Sequence, residues 1–294
     1  MKTKLFIISF FLFLFTVNTS ASVKLSKDAT ISILTCSPGN ELYSLFGHTG
    51  IRVVDKANNM DIVFNYGTFD FATQGFYFKF ARGLLPYQLS CSEFRRFLSS
   101  YIHDERSVYS QTLNLDSIQK QYLMDLLVEN YEPANREYLY NFLYDNCSTR
   151  VRDIIEKSTG NQITWIAQPS TKSFWNLLDE YLGRSPWIQW GIHTILGSPA
   201  TSTATIHEQM FLPDYLMYRL DSAAYNGTPL VQPIETVYEA PEQDLSTPWY
   251  FSPFFVFAIC TLALILFLQK VKSRRLLKAI AIPFFIATGV VGCL

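Results

Sequence analysis

An uncharged apolar run near the C-terminus constrains this chain more than any other feature. Residues 250–269 read YFSPFFVFAICTLALILFLQ and include no Asp, Glu, Lys or Arg. About 20 apolar residues in an α-helix are enough to cross the roughly 30 Å hydrocarbon core of a bilayer. The run therefore predicts a transmembrane helix over 250–269.

The charges on the two sides of this run differ in sign. They are Lys270, Lys272, Arg274 and Arg275 after the run, and Glu239, Glu242 and Asp244 before it. Cytoplasmic flanks of transmembrane helices are enriched in Lys and Arg, so we expect the preceding domain to lie outside the cytoplasm. A further apolar run over 276–294 predicts a second transmembrane helix, truncated at the end of the sequence.

The N-terminus agrees with this orientation. Residues 1–22 read MKTKLFIISFFLFLFTVNTSAS, with Lys2 and Lys4 before an apolar run that ends at Val17. Small residues follow, up to Ala21 and Ser22. This order is typical of a secretory signal peptide, which is removed from the mature protein.

The remaining exported part, residues 23–249, is long enough for one sizeable domain with a buried core. The whole chain has 24 Lys plus Arg against 25 Asp plus Glu, so it lacks the basic excess typical of nucleic-acid-binding proteins.

Hydrophobic periodicity predicts an α+β domain. Strands are predicted over 29–36, 50–55, 61–67 and 106–113, and helices over 90–103, 115–131, 148–157 and much of 171–224. Asn58 and Asn59 predict a hairpin turn between the second and third strands. The domain is predicted over 23–227, and the Pro-, Gly- and acid-containing stretch over 228–249 is predicted to tether it to the membrane.

The segment YDNCSTRVRDII, residues 144–155, places Cys147 where an aromatic-rich stretch gives way to a helix. A helix N-terminus and a basic neighbour lower a thiol pKa from about 8.5 to between roughly 3.5 and 7.5. Cys36 and Cys91 also lie in the exported part, and this odd number leaves at least one thiol unpaired. Cys91 lies at a predicted helix start too, so position alone leaves nucleophile and buried structural thiol both open. A Cys36–Cys91 disulfide is a further hypothesis.

His48 is the histidine best placed to serve such a thiol. It lies in FGHTGI, where Gly47 and Gly50 leave room around the backbone at the mouth of a strand. A Cys-His pair is the arrangement of thiol acyl-transfer enzymes, although a structural histidine is the commoner role. No His, Cys, Asp or Glu cluster has zinc-site spacing, so neither a metal nor another cofactor is expected.

The order of these motifs resembles a known fold. GHTGI on a strand, followed far downstream by DNCSTRVRD at a helix start, is similar to the permuted NlpC-type papain-like fold, in which histidine precedes cysteine. Lecithin-retinol acyltransferase shares that arrangement. Over residues 30–216 the chain more closely resembles the Lnb N-terminal periplasmic domain family, found in membrane-anchored proteins of Bacteroidota. The matching segments are CSPGNELYSLFGHTGIRVVD, DIVFNYGTFDF, FYFKFARGLLPYQLS and YLYNFLYDNCSTRVRDIIE.

This resemblance implies a lipoprotein N-acyltransferase in the bacterial inner membrane, with its catalytic domain in the periplasm. Such an enzyme moves an acyl chain from a phospholipid to the free α-amine of a diacylated lipoprotein. Cys147 would carry the acyl group as a thioester, and His48 would be its base. Phospholipid, lipoprotein and membrane are the implied partners.

Further site residues are expected around this pair. Asn65 is the first choice for orienting His48, ahead of Asp61 and Tyr66 on the same hairpin strand. Backbone N–H groups at the helix start after Asn146, including that of Ser148, are expected to hold the oxyanion. Candidates for headgroup contacts or structural support are Glu41, Tyr43 and Arg52. The aromatic stretch between Phe69 and Phe80 fits either a membrane-facing lip or an ordinary core strand.

Two other function classes remain open at this point. The same fold supports a cell-wall amidase or peptidase, because a fold does not determine a function. A non-catalytic periplasmic module, such as a sensor or assembly factor, would use the fold without the Cys-His chemistry.

Overall fold

The computed structural model describes residues 23–70, 72–75, 79, 84–166, 170–183, 185–241, 248–270 and 273–292. The predicted signal peptide lies outside these ranges, and so do most of the aromatic side chains between Phe69 and Phe80.

An antiparallel sheet forms the centre of the domain. Its strands are β1 (Thr30–Cys36), β2 (His48–Asp55), β3 (Met60–Thr68), β4 (Pro86–Glu93), β5 (Val108–Thr112), β6 (Glu137–Leu139) and β10 (Glu235–Tyr238). They lie in the order β10-β5-β1-β2-β3-β4-β6, and every pairing between neighbours is antiparallel. A small second sheet contains β7 (Ile163–Thr164), β8 (Ala224–Tyr225) and β9 (Thr228–Pro229).

Helices pack around the sheet and continue beyond it. In the described residues they are α1 (Phe94–His103), α2 (Ser117–Tyr131), α3 (Cys147–Ser158), α4 (Phe174–Leu182), α5 (Pro186–Leu196), α6 (Ile206–Gln209), α7 (Pro213–Ser222), α8 (Pro253–Lys270) and α9 (Arg274–Gly292). The predicted α+β class and the predicted hairpin of β2 and β3 are confirmed.

Successive residues along the strands face opposite sides of the sheet and pack into two separate hydrophobic clusters. Ile33 and Ile51 face a cluster that includes Ile155 of α3, whereas Leu34 packs on the other face with Phe97 of α1. This alternation follows from the two-residue period of a strand. Full burial of an Ile or Leu side chain stabilises the fold by about 1.5–3 kcal/mol, so the sheet holds α3 firmly in place.

A third cluster joins α4, α5 and the turn before α7. Leu177 and Leu178 of α4 pack there with Phe211, and Leu45 and Leu143 reach the same cluster from loops near the start of β2 and α3. These contacts attach the helical part of the chain to the segments that carry His48 and Cys147.

The helix predicted over 90–103 begins later than expected. Ser90 to Glu93 belong to β4, where Tyr87 and Leu89 are buried in alternation, and α1 starts only at Phe94. Cys91 therefore lies within a strand, and its predicted position at a helix start is wrong. Cys147 alone among the exported cysteines begins a helix.

The hypothetical Cys36–Cys91 disulfide does not form, and both thiols are free. Cys36 lies on β1 and Cys91 on β4, with β2 and β3 between them. Three strand spacings of about 4.8 Å separate the two strands by about 14 Å. The Cα atoms of a disulfide lie at most about 7 Å apart.

Part of the predicted tether is folded. Thr228 and Pro229 form β9, the next two residues, Leu230 and Val231, are buried, and Glu235–Tyr238 pair with β5 as an edge strand. This stretch is folded and not an extended tether because Leu230 and Val231 are apolar and pack into the hydrophobic core.

The predicted transmembrane segment over 250–269 corresponds to α8. This helix is long and apolar enough to cross a membrane, and Phe254 is 84% exposed. The second predicted segment corresponds to α9, in which the apolar stretch found among the described residues is Leu277–Ile286. Within the described ranges, α8 is the one helix that meets the requirement.

Candidate active site

Asn146 determines where α3 begins. Its Oδ1 accepts hydrogen bonds from the backbone N–H groups of Ser148 (2.9 Å) and Thr149 (3.0 Å), and the Thr149 hydroxyl accepts one from the Asn146 N–H (2.8 Å). This reciprocal pattern is a capping box, which satisfies N–H groups that a helix start leaves unpaired. The cap places Cys147 at the first helical position, as the sequence predicts.

The same side chain fastens the helix start to two other segments. Its Nδ2 donates to the carbonyl oxygens of Phe142 (2.9 Å) and Phe211 (2.8 Å). Asn146 is 3% exposed, so these bonds are shielded from water. Its amide hydrogens are therefore engaged in holding the structure, not free to bind an oxyanion.

Two glycines shape the strand that carries His48. Gly47 has φ +81°, and a Cβ there would lie 2.6 Å from the carbonyl oxygen of Cys36, so a side chain is excluded. A Cβ on Gly50 would lie 3.1 Å from Oδ1 of Asn65. Gly47 is therefore required for the turn into β2, whereas a side chain at position 50 would have to displace Asn65 by a few tenths of an ångström.

Asn65 on β3 holds the imidazole of His48. Its Oδ1 lies 3.2 Å from His48 Nε2, while its Nδ2 donates to the carbonyl of Val63 (3.4 Å). With Oδ1 as acceptor, Nε2 carries the hydrogen, and Nδ1 becomes the nitrogen able to take a proton.

The two alternatives for this orienting role have other partners. Asp61 forms an ion pair with Arg52 at 2.7 Å, and the Tyr66 hydroxyl accepts a hydrogen bond from Asn130 at 2.7 Å. The structure therefore brings Asn65 to His48 and leaves Asp61 and Tyr66 elsewhere.

His48 has the largest lowering effect on the pKa of the Cys147 thiol. Burial raises the pKa of Cys147, but the charge of His48, a hydrogen bond with its side chain and bonds from the Thr49 backbone and Ser148 together outweigh burial and lower the pKa. Ser148 is positioned by a 2.8 Å bond between its hydroxyl and that of Thr49. A histidine, a strand amide and a hydroxyl thus favour the thiolate.

The other exported cysteines have the opposite chemistry. Burial raises the pKa of Cys36 to about 12, and burial also raises the pKa of Cys91. Neither thiol is primed as a nucleophile at neutral pH.

Not all of the backbone N–H groups predicted to hold the oxyanion are available to do so. The N–H groups of Ser148 and Thr149 donate to the cap, so they are occupied. Among the described residues, the N–H of Cys147 itself has no acceptor and is the amide left at this helix start.

Tyr138 on β6 is a site residue that the sequence reasoning missed. A Cβ on Gly67 would lie 3.7 Å from Cys147 Cβ and 4.0 Å from the Tyr138 hydroxyl, so both border the same small space. This hydroxyl is buried and donates no hydrogen bond in the described part of the chain, although the Gly67 backbone N–H interacts with its oxygen. Burial, followed by the charge of Cys147, raises the pKa of Tyr138, so it stays a protonated donor. The aromatic run YLYNFLY gave no sign of which tyrosine faces the thiol.

The remaining predicted contacts lie away from the thiol or in loops. Arg52 stacks 3.3 Å from the ring centre of Phe94 and pairs with Asp61, about 13 Å along β2 from His48. Its contacts are structural. In the loop before β2, the backbone carbonyl of Glu41 accepts a hydrogen bond from the Ser44 N–H. Tyr43, in the same loop, is 61% exposed. Their substrate contacts stay predictions.

One group of metal-binding residue types occurs in the described residues. Asp153, Glu156 and His207 have ligand atoms within 4.8 Å of one another. Arg152 pairs with Asp153, and Trp165 Nε1 donates to Glu156 at 2.8 Å. The cluster is thus already a network of ion pairs and hydrogen bonds.

A model of the Lnb N-terminal periplasmic domain family matches residues 16–179, more than half of the chain. No match was found among curated proteins or solved structures. The matched range contains His48, Asn65, Tyr138 and Cys147. The chain therefore belongs to the Lnb N-terminal periplasmic domain family.

Proposed function

We propose that this protein is a lipoprotein N-acyltransferase, anchored in the bacterial inner membrane with its catalytic domain in the periplasm. The observation that carries the proposal is the Cys147 thiol at a helix start, with a pKa lowered by His48, whose ring is hydrogen-bonded to Asn65. A 2.8 Å bond between Thr49 and Ser148 joins the two segments directly beside His48 and Cys147. Family membership and the apolar helix α8 support it. Histidine preceding cysteine along the chain supports a permuted papain-like arrangement.

The first half-reaction transfers the acyl chain to the enzyme. His48 Nδ1 takes the proton of Cys147, and the thiolate sulfur attacks the ester carbonyl carbon of a phospholipid. The tetrahedral intermediate collapses by breaking the ester C–O bond, and His48 returns the proton to the departing alkoxide. Lysophospholipid leaves, and the acyl chain remains on Cys147 as a thioester.

The second half-reaction forms an amide. The α-amine of a diacylated lipoprotein's N-terminal cysteine attacks the thioester carbonyl, and His48 accepts a proton from the amine. Collapse of this second intermediate breaks the C–S bond, and His48 returns its proton to the departing thiolate, which restores the thiol of Cys147. A thioester is needed because a lipid ester is a less reactive donor toward an amine.

Both tetrahedral intermediates need hydrogen-bond donors for their oxyanion. Among the described residues, neither the N–H of Cys147 nor the hydroxyl of Tyr138 donates a hydrogen bond, so both can serve as donors for an oxyanion beside Gly67. The Arg150 guanidinium lies 3.5 Å from the Tyr138 ring centre and makes its hydroxyl a better donor.

Intact-mass analysis of the membrane-extracted protein tests the proposal. We expect a fatty-acyl mass increment on the wild type that neutral hydroxylamine removes, because hydroxylamine cleaves thioesters. Cys147→Ser should lack a hydroxylamine-sensitive adduct. Cys91→Ser, another exported thiol on the same sheet, is the matched control and should keep it.

The alternative functions give different outcomes. If no adduct forms after phospholipid is supplied without lipoprotein, and the protein digests peptidoglycan fragments, the cell-wall amidase or peptidase class replaces this proposal. If Cys147→Ser and His48→Ala leave the cellular phenotype unchanged, the domain is a non-catalytic module.

A further inference from the structure

Helix α5 is an uncharged helix on the outside of the domain. Its sequence, PWIQWGIHTIL, contains no Asp, Glu, Lys or Arg. None of its residues is buried, and Trp190 and Ile195 are 50% and 81% exposed. A surface helix that faces water normally carries charged residues on its outer side.

One side of α5 already has a partner. Ile188, Ile192 and Leu196, spaced four residues apart, pack against the cluster formed by α4. Trp187 and Trp190 fall on the opposite side because of the 3.6-residue helical period. The outward side is therefore apolar and aromatic, although the helix needs no further packing to stay attached.

The outward side is continuous with the start of α8. Trp187 Nε1 donates to the carbonyl of Phe251 at 2.6 Å, and the Trp187 ring lies 5.6 Å from that of Phe257. The Trp190 ring lies 5.3 Å from the same Phe257 ring. Trp249 is 73% exposed just before α8. Tryptophan and tyrosine concentrate at the boundary between lipid and water.

From this geometry we infer that α5 lies at the boundary between the periplasmic leaflet of the inner membrane and water, and that it binds lipid through its exposed side chains, including Trp190 and Ile195. The inference rests on the proposed membrane anchoring by α8. Lipid is the occupant because the exposed side adjoins the first turns of a helix whose own side chains would contact the bilayer. An uncharged face with tryptophan near its centre is typical of a helix lying at that depth. The catalytic domain is thereby held against the leaflet at a second point.

Depth-dependent quenching in the full-length protein tests this inference. The protein is reconstituted in phosphatidylethanolamine and phosphatidylglycerol vesicles that contain lipids brominated at shallow or deep acyl positions. The signal of Trp190 is obtained as the difference between wild type and Trp190→Phe. We expect quenching by the shallow bromines and little quenching by aqueous iodide. Trp175, which stacks on His193 at 4.7 Å within the domain, is the matched control, measured with Trp175→Phe.

A pair of isoleucines supplies a second comparison. Ile195 and Ile118 are each 81% exposed, but Ile118 lies on α2, whose first turn is capped by Asp116. We expect Ile195→Glu to reduce the shallow quenching of Trp190 and to raise its quenching by iodide, whereas Ile118→Glu leaves both unchanged.

The possible outcomes distinguish a failure of this inference from a failure of the proposed membrane anchoring by α8. If the protein floats with vesicles and Trp190 is quenched by iodide but not by brominated lipid, α5 faces water and the inference is overturned. If the protein does not float with vesicles at all, the membrane anchoring fails and the inference fails with it. Neither result depends on acyl transfer.

Discussion

Asn146→Ala tests whether one buried amide both builds the fold and positions the nucleophile. The loss of an N-cap costs about 1 kcal/mol. Asn146 also donates to two carbonyl oxygens, of Phe142 and Phe211, and each of these bonds is worth about 1 kcal/mol. We therefore expect Asn146→Ala to lower the free energy of unfolding by about 3 kcal/mol.

Two further variants separate the contribution of the helix cap from that of the two hydrogen bonds to carbonyl oxygens. Ser173 caps α4 through a similar capping box in an exposed position, so Ser173→Ala should cost about 1 kcal/mol. Asn146→Ser keeps a capping oxygen but lacks the two donors, so it should cost about 2 kcal/mol. Thermal unfolding followed by near-ultraviolet circular dichroism measures the difference. At about 2–4 °C per kcal/mol, the melting temperature should fall by about 6–12 °C for Asn146→Ala and about 2–4 °C for Ser173→Ala.

Activity must follow a different pattern from stability. A displacement of Cys147 by about 1 Å would slow thioester formation about a hundredfold, measured at a temperature where every variant is folded. We expect this loss in both Asn146 variants and none in Ser173→Ala. Equal melting temperatures for Asn146→Ala and Ser173→Ala would refute the role of the two carbonyl bonds. Unchanged thioester formation in Asn146→Ala would refute the positioning argument.

Other features give predictions of their own. Iodoacetamide labelling of Cys147, followed by peptide mass spectrometry, should reach its half-maximal rate at a lower pH than labelling of Cys91, and His48→Ala should remove this difference. Tyr138→Phe should slow thioester formation about 100- to 1,000-fold without lowering the melting temperature, because its hydroxyl donates no hydrogen bond in the described structure; a destabilised variant would argue for a structural role. Hydrogen bonds lower the pKa of Asp55 to about 2, and the largest contribution is that of the Ser26 backbone N–H. The stability this provides is present above the ordinary pKa near 3.8 and lost as the pH falls toward about 2, so acid titrations of unfolding should show a smaller loss between pH 4 and 2 for Asp55→Asn.

Local signals in the sequence were sufficient for two structural features next to the candidate site. Asn146 precedes an apolar periodic segment, and Asn146 does cap α3. The turn at Asn58 and Asn59 joins β2 to β3, which places Asn65 on the strand beside His48. These features depend on residues close in sequence, so local rules were sufficient.

Long-range features could not be predicted in the same way. Residues 86–93 pair with β3 on one side and with the short β6 on the other, and no local pattern selects those partners. Tyr138 depends on that pairing, because β6 has only three residues and its position is set by β4. The edge strand Glu235–Tyr238 could not be predicted for the same reason. A Pro- and acid-rich stretch indicates a loop until its partner strand, here β5, is known.

The surroundings of Cys147 show why the thiol and the fold depend on each other. Burial alone would raise the pKa of this thiol, as it does for Cys36, only one strand away from His48. The pKa of Cys147 is lowered only because β2 brings the His48 ring and the Thr49 amide to the start of α3. If β2 and α3 separate, these partners are lost together, and the pKa of the Cys147 thiol returns toward its ordinary value. The pH at which Cys147 alkylation reaches half its maximal rate therefore reports on the contact between β2 and α3, and conditions that loosen this contact should raise it.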